Sequence, residues 1–373
     1  MDERKLRLFF EDLHAHPELS KREVRTTAKV MEALRAAEIE VQCGDLPTGC
    51  VAILRGGRPG RVVGLRGDMD ALPIQEETDL PYRSTAPGVM HACGHDFHTS
   101  VMLGAALLLK EQQAELPGTV KIVFQPDEEM DRGARRVVAT GLLDDVEEFY
   151  GIHSYPWFPA GTLGIKEGPV MAAPDRFLIR LKGRGAHGAQ PHNGVDPIPA
   201  AAALVLSLQT LVSRRMDPFH AAVVSVTRLM AGNTWNVIPE TAELEGTVRT
   251  LDPGDRAKLR SWICDMAAQT AAAQGCQAEV EWEEGSAAVI NDAALCEEAR
   301  KLALRMGFAV DRQEDTMGAE DFSEYLALCP GAFIRVGTGG GVAAHHSGFT
   351  VDEAALAPAA EFFARLAMER AGA

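Results

Sequence analysis

At 373 residues the chain is too long for one ordinary hydrophobic core, so two domains are expected. It is 46% hydrophobic but has no apolar run near the roughly 20 residues of a membrane span, and its 37 Lys plus Arg against 53 Asp plus Glu include no basic block interleaved with aromatics, so neither a membrane nor a nucleic acid is an expected partner. Seven scattered cysteines, an odd number, point to reduced thiols, and the charged segment Met1 to Glu11 reads as helix rather than signal peptide, so a cytoplasmic protein is expected.

From Asp2 to roughly Ala37 the apolar positions Leu6, Phe9, Phe10 and Leu13, then Val24, Val30, Met31 and Leu34, recur at helical spacing. They predict two helices on either side of His14-Ala15-His16-Pro17-Glu18-Leu19, whose histidines read as structural. Cys50 to Leu54 and Arg61 to Leu65 read as adjacent strands joined by the turn Gly56-Gly57-Arg58-Pro59-Gly60. The second strand enters Gly67-Asp68-Met69-Asp70-Ala71-Leu72-Pro73, which sets two carboxylates at the edge where open α/β sheets build their sites.

Met90-His91-Ala92-Cys93-Gly94-His95-Asp96-Phe97-His98 packs a thiol, three imidazoles and a carboxylate into nine residues. Cys93 and His95, two apart, let an irregular loop aim a thiolate and a neutral imidazole at one ion. Packed, hydrogen-bonded side chains are the competing reading, and a Cys/His nucleophile pair has no visible third group to orient its base. Thr99 to Leu116 is helical in pattern, Pro117-Gly118 ends it, and the strand Thr119 to Phe124 runs into Gln125-Pro126-Asp127-Glu128-Glu129. Glu147 to Ile152 is a strand delivering His153, and Ala332 to Val336 is another, followed by the Gly-rich run Thr338 to Gly341 and His345-His346. Four predicted strand ends therefore offer carboxylates or imidazoles beside the Cys/His loop.

Between these sets the rhythm changes. Phe177 to Leu181, Pro197 to Arg214, Ala222 to Leu229, Ala242 to Arg249, Pro253 to Ala273 and Gln277 to Glu283 read as strand, helix, strand, strand, helix, strand. That is the ferredoxin-like βαββαβ order. Residues 175–285 are thus expected to form an insert, with 1–174 and 286–373 as one discontinuous domain. The predicted class is α/β, a catalytic domain with a central mixed sheet flanked by helices, plus the inserted domain.

Adjacent Glu128 and Glu129 suit a division of labour in which one carboxylate binds metal and the other takes a proton from activated water. Cys93, His95, one of Glu128 and Glu129, His153 and one of His345 and His346 are more ligands than a single four-coordinate ion with an open position needs, so two ions with a shared ligand are expected. The donor set suits zinc, manganese, cobalt or nickel without choosing among them. In the insert, His187 stands in a Gly-flanked loop after a strand, and Gly232 to Pro239 offers amides in a turn.

The segments Leu65 to Ile74, Met90 to His98, Phe124 to Glu129, Gly185 to His192 with Asp196-Pro197-Ile198, Asn236-Val237-Ile238-Pro239, Gly246 to Thr250 and Gly318-Ala319-Glu320-Asp321-Phe322 resemble the amidohydrolase branch of the aminoacylase/carboxypeptidase G metallopeptidases. That branch includes hippurate hydrolases, N-acyl-amino-acid amidohydrolases, auxin-conjugate hydrolases and N-acetyldiaminopimelate deacetylases. The match runs from His14 to Glu353, nearly the whole chain. The resemblance implies a dinuclear metallopeptidase-like fold, two divalent ions on Cys93 (as bridge), His95, Glu129, His153 and His345, Glu128 as general base, and Asp70 as a carboxylate orienting the site. It implies that the insert is a lid and dimerisation domain, whose His187 reaches the partner's site to polarise the scissile carbonyl, while Asn236 and Arg249 hold polar groups of the substrate.

Two positions depart from the family pattern. Asp127 stands where Ala is more usual, an extra acid that could raise a neighbouring pKa or face solvent. Ala344-His345-His346-Ser347 replaces a pattern beginning Leu-His, and the spacing to Asp352-Glu353 favours His345. The implied reaction is metal-assisted hydrolysis of small N-acyl amino acids in a homodimer. The alternatives are a dipeptidase or exopeptidase using the same site, and a non-catalytic metal-binding regulator of the same fold.

Overall fold

The first helix, Glu3–Ala15, starts where the Asp2 carboxylate accepts the amides of Arg4 and Lys5, which satisfies donors that have no intrahelical partner. It buries Leu6, Phe10 and Leu13, and the second helix, Val24–Ala36, buries Val30 and Leu34, on the stripes their spacing predicts. The computed structural model describes residues 2–312 and 314–373. It divides into two units, one of Met1–Val170, Ile290–Glu314 and Asp321–Ala373, the other of Met171–Val289 and Asp315–Glu320.

The first unit is built on an eight-stranded mixed sheet in the order Glu40–Gln42, Cys50–Arg55, Pro117–Gln125, Arg58–Asp68, Glu148–Tyr155, Gly331–Gly337, Thr162–Gly164, Ala309–Asp311. Pro117–Gln125, Arg58–Asp68, Glu148–Tyr155 and Gly331–Gly337 are parallel neighbours, so their carboxyl ends share one edge. Leu65, Ile122, Tyr150 and Ile334 form a core with Phe97, Val101 and Met102 of the helix His95–Glu111 and Phe362, Phe363 and Leu366 of the helix Leu356–Ala371. Each strand end with a predicted polar group is therefore carried by a sheet buried enough to hold it still.

Two sequence expectations are corrected here. Cys50–Arg55 and Arg58–Asp68 are not neighbours, because Pro117–Gln125 lies between them. That strand pairs antiparallel with the first through Arg55 and Thr119, and parallel with the second through Val62 and Thr119. The loop between the two is stitched to the incoming segment instead, with Gly56 donating to the Gly118 carbonyl at 2.8 Å and Gly57 to that of Gln113 at 3.2 Å. The second correction is the start of the long helix, which runs His95–Glu111 and takes in half of the Cys/His segment. Asp96 lies in its first turn, where a carboxylate is favoured by the helix dipole.

The second unit contains a four-stranded antiparallel sheet in the order Ala222–Ala231, Thr241–Thr250, Ala173–Lys182, Gln277–Glu284, with the helices Pro197–Thr210 and Pro253–Ala273. Phe177, Ile179 and Leu181 face Leu204, Leu208, Leu259 and Ile263 in its core. The alternate residues Arg176 and Arg180 pair with Glu283 and Glu243 on the neighbouring strands, each at 3.0 Å. Counted with its π turn, Pro197–Arg215 has the length and composition of a membrane span, which the sequence reading did not find. Its stripe Ala200, Ala201, Leu204, Leu208 and Leu211 nevertheless belongs to this core.

His14 ties the first helix to the sheet's loops. Its Nδ1 is 2.6 Å from Asp96 Oδ2 and its Nε2 3.2 Å from Glu76 Oε1. Burial opposes the imidazolium, but the two carboxylates outweigh it and carry His14 up to about 10. Because this folded value exceeds the unfolded one near 6.5, the stabilisation is complete below about pH 6.5 and is lost as pH rises toward 10. His14→Gln is expected to cost on the order of 3–5 kcal/mol at pH 6 by leaving two buried carboxylates without their cation. Thermal unfolding of variant and wild type from pH 6 to 10 checks this, and a gap that does not narrow with rising pH refutes it.

Candidate metal centre

Asp70 lies just beyond the strand Arg58–Asp68 and is almost wholly buried. Its Oδ1 accepts the Glu128 amide at 3.1 Å, and its Oδ2 accepts the Glu129 amide at 3.1 Å and the Ser20 hydroxyl at 2.7 Å. Oδ1 is also 3.3 Å from His95 Nδ1. Burial raises the Asp70 pKa, but its contact with His95 more than offsets this and holds the carboxyl below its ordinary value. One ionised side chain therefore fixes the loop of the two glutamates and turns His95 so that Nε2 faces inward.

His95 Nε2 is buried without a hydrogen-bond partner, 3.8 Å from Glu129 Oε1. A buried polar atom left unpaired is costly and rare, and these two atoms face one another across a gap a cation fits. Cys93 Sγ is 3.5 Å from His153 Nε2, while His153 Nδ1 donates to the Ser154 carbonyl at 2.7 Å. His345 Nε2 is 3.3 Å from Glu129 Oε1. Among the described residues, the potential ligand atoms of Cys93, His95 and His153 lie within 4.8 Å of one another, and so do those of Cys93, Glu129 and His345. Cys93 belongs to both groups, which is the position of a bridging ligand.

Burial, with the Glu129 charge added, pushes the Cys93 thiol up to about 12. Burial drives His153 well below its usual range. Burial also opposes charge on His95, but Asp68, Cys93 and Asp70 overcome it and raise His95 well above the ordinary value. A divalent ion must therefore displace protons from Cys93 and His95, while His153 is already neutral. Asp68, His95 and His98 also come within reach of one ion. His98 is committed elsewhere, with Nδ1 at 2.5 Å from Asp68 Oδ1 and Nε2 accepting the Ser154 amide at 2.6 Å.

The backbone is bent to bring these groups together. Gly94, at φ 84°, caps the helix His95–Glu111, and a Cβ there would meet Ser154 Oγ at 2.6 Å, so a side chain is excluded on both counts. His345 also has positive φ, 65°, and its amide donates to the Ala92 carbonyl at 2.7 Å. The fold turns this histidine toward Glu129, whereas His346 Nδ1 accepts the Gly348 amide at 3.0 Å. Asp127, at φ 60°, is fully buried rather than solvent-facing. Its amide donates to Glu23 Oε1 at 2.9 Å, its Oδ2 is 3.1 Å from Arg136 Nη1, and burial raises its own pKa.

The structure thus gathers Cys93, His95, Glu128, Glu129, His153, His345 and Asp70 within the first unit. His187, Asn236 and Arg249 belong to the second. There Ala186–His187 pairs with Val237–Ile238, His187 opposite Val237, and the Gly188 amide donates to the Asn236 carbonyl at 2.8 Å, so the exposed His187 and the half-buried Asn236 share one ribbon. Arg249 lies on the four-stranded sheet opposite Val223 and Pro174. Sequence reasoning missed the parts played by Ser20, His98 and Ser154. For His98 a signal existed, since it falls one turn after His95 on what proves to be a helix.

The model of peptidase family M20/M25/M40 matches residues 64–369. The N-acetylcysteine deacetylase of Bacillus subtilis (strain 168) is 46% identical over 358 residues, covering 96% of this chain and 94% of that protein. The N-acyl-L-amino acid amidohydrolase of Geobacillus stearothermophilus is 42% identical over 280 residues, 75% of this chain and 76% of that one. Thermostable carboxypeptidase 1 of Saccharolobus solfataricus is 36% identical over 366 residues, 96% and 93% of the two chains. Among solved structures, a Bacillus subtilis protein described as a dinuclear metal binding peptidase from the M20 family superposes with a TM-score of 0.91 at 43% identity, covering 99% of this chain and 98% of that one. The chain is a member of peptidase family M20/M25/M40.

Proposed function

We propose that the protein is a dinuclear metal-dependent amidohydrolase that cleaves N-acyl amino acids to a carboxylic acid and a free amino acid. The observation that carries this is the pair of ligand groups sharing Cys93 beside a second carboxylate, Glu128. The deacetylase and amidohydrolase relatives support the substrate class. Cys93, His95, Glu129, His153 and His345 would hold two divalent ions, of zinc, manganese, cobalt or nickel. Such ions supply Lewis acidity, polarising the acyl carbonyl and acidifying water.

The chain's own residues do the rest. Glu128, its amide fixed by Asp70, is left out of the ligand set so that its carboxylate keeps its basicity. It takes a proton from water and returns it to the leaving amine. The second unit, read as an insert over residues 175–285 between 1–174 and 286–373, serves as lid and dimerisation domain. Its His187 polarises the carbonyl in the partner's site, and Asn236 and Arg249 hold the substrate's polar groups. The strand Ala222–Ala231 at the sheet edge, with Leu229 and Met230 half exposed, and Leu206 at 72% exposure support a homodimer through this unit. Seven free cysteines support a cytoplasmic location. The carboxypeptidase relative favours a second reading, a peptidase whose acyl group carries a free amine.

Amino-acid release from N-acetyl, N-benzoyl and longer acyl amino acids and from dipeptides, after chelation and again after metal is restored, tests the class. Restored release from the acyl panel supports the proposal, preference for dipeptides favours the second reading, and no release in any metal overturns both. Glu128→Gln is expected to lose turnover by roughly 10²–10⁴-fold while keeping its metal. Asp70→Ala frees the two glutamate amides and His95, and by calorimetry should bind divalent ions about 10–100-fold more weakly. Mixed dimers of Glu128→Gln and His187→Ala chains are expected to recover activity that neither variant has alone. Failure to recover it, with mixed dimers of differently tagged chains isolated by sequential affinity steps, refutes the role of His187 in the partner's site.

A further inference from the structure

The residue after His153 is used by three different parts of the chain. The Ser154 amide donates to His98 Nε2 at 2.6 Å, its carbonyl accepts from His153 Nδ1 at 2.7 Å, and its hydroxyl donates to the Cys93 carbonyl at 2.9 Å. The strands Arg58–Asp68 and Glu148–Tyr155 pair from Val63 and Glu148 to Arg66 and Gly151. Beyond that point Ser154 has no partner on the strand Arg58–Asp68, and an imidazole from the helix His95–Glu111 accepts its amide instead. His98 is in turn fixed from behind. Its Nδ1 is 2.5 Å from Asp68 Oδ1, and Asp68 Oδ2 accepts from Arg66 Nη1 at 2.7 Å. Arg66 also donates to Gln125 at 2.8 Å and to Asp321 at 3.0 Å. Arg66, Asp68, His98 and Asp321 are all fully buried.

Because His98 Nε2 accepts a peptide N–H, its proton must sit on Nδ1, where it is donated to Asp68. This fixes the ring's tautomer and, through it, the plane of the peptide between His153 and Ser154. The Ser154 carbonyl, on the following peptide, accepts from His153 Nδ1, leaving Nε2 unprotonated and aimed at Cys93. The His98 and His153 rings lie 4.9 Å apart, so movement of one displaces the other.

We propose that His98, backed by Asp68, is a positioning residue. It clamps the Ser154 peptide so that His153 and Cys93 face one ion together, and it thereby sets that ion's affinity. The inference rests on the metal reading of the site. Asparagine places its amide near the imidazole Nδ1 and can keep the Asp68 contact, whereas glutamine reaches the Nε2 position and can accept from Ser154.

The test is titration of metal-free protein with cobalt(II) alone, following the thiolate-to-cobalt absorption and the stoichiometry by competition with a chelator. His98→Asn is expected to bind one of two ions about 10–100-fold more weakly, with His98→Gln close to wild type. Equal weakening in both variants, or none in either, overturns the proposal, since a packing role would not distinguish the two bonds. Wild-type protein that takes up no cobalt overturns the metal reading beneath it. Should His98→Asn not fold, imidazole ¹⁵N shifts of the zinc-loaded wild type decide. A proton on His98 Nδ1 supports the clamp, and one on Nε2 refutes it.

Discussion

The arrangement of the first unit depends on keeping a set of ionised groups buried at one sheet edge, and Asp70 is where that constraint is met. A carboxylate removed from water must be repaid by donors, and Asp70 finds them in the Ser20 hydroxyl, two consecutive loop amides and His95. These donors come from three places in the sequence, so satisfying one charge fixes four segments, that of Asp70 included, relative to one another. The spacing of Glu128 and Glu129 from His95 then follows from backbone bonds, not from the glutamate side chains themselves.

A second carboxylate does comparable work two residues earlier in the chain. Asp68 is fully buried between Arg66 and His98. Burial raises its pKa, but the surrounding cations, Arg66 foremost, overcome this and hold it well below the ordinary range. Such an ion network contributes little net stability compared with apolar packing, and its removal in part is expensive. Its value lies in orientation, since it leaves His98 and Ser154 a single hydrogen-bonding pattern.

Much of this was legible in the residues. Helical spacing located Glu3–Ala15 and Val24–Ala36, β-branched runs located the four central parallel strands, and the polar groups after them marked the edge where the site forms. What local pattern could not supply was which strand lies beside which. The interposition of Pro117–Gln125 between two strands consecutive in sequence is a tertiary choice, made by the contacts of Gly56 and Gly57. His95 to His98 read as loop because their polarity hides a helical turn that is wholly buried. Asp127 and Arg66 were hard for the same reason, since a buried charge looks in sequence like a solvated one until its partner is known.

The two ligand groups differ in how firmly the chain holds them. Cys93, His95 and His153 stand on a helix start and a central strand, whereas the His345 side chain is 53% exposed, at the end of a run with positive φ at Gly339, Gly340 and Gly341. A ligand on a solvent-washed loop can let go without disturbing the core. An ion held as proposed would therefore exchange more slowly from the buried group than from the group that includes His345. Occupancy of that second position would then follow the free metal concentration, and with it the fraction of molecules ready to work.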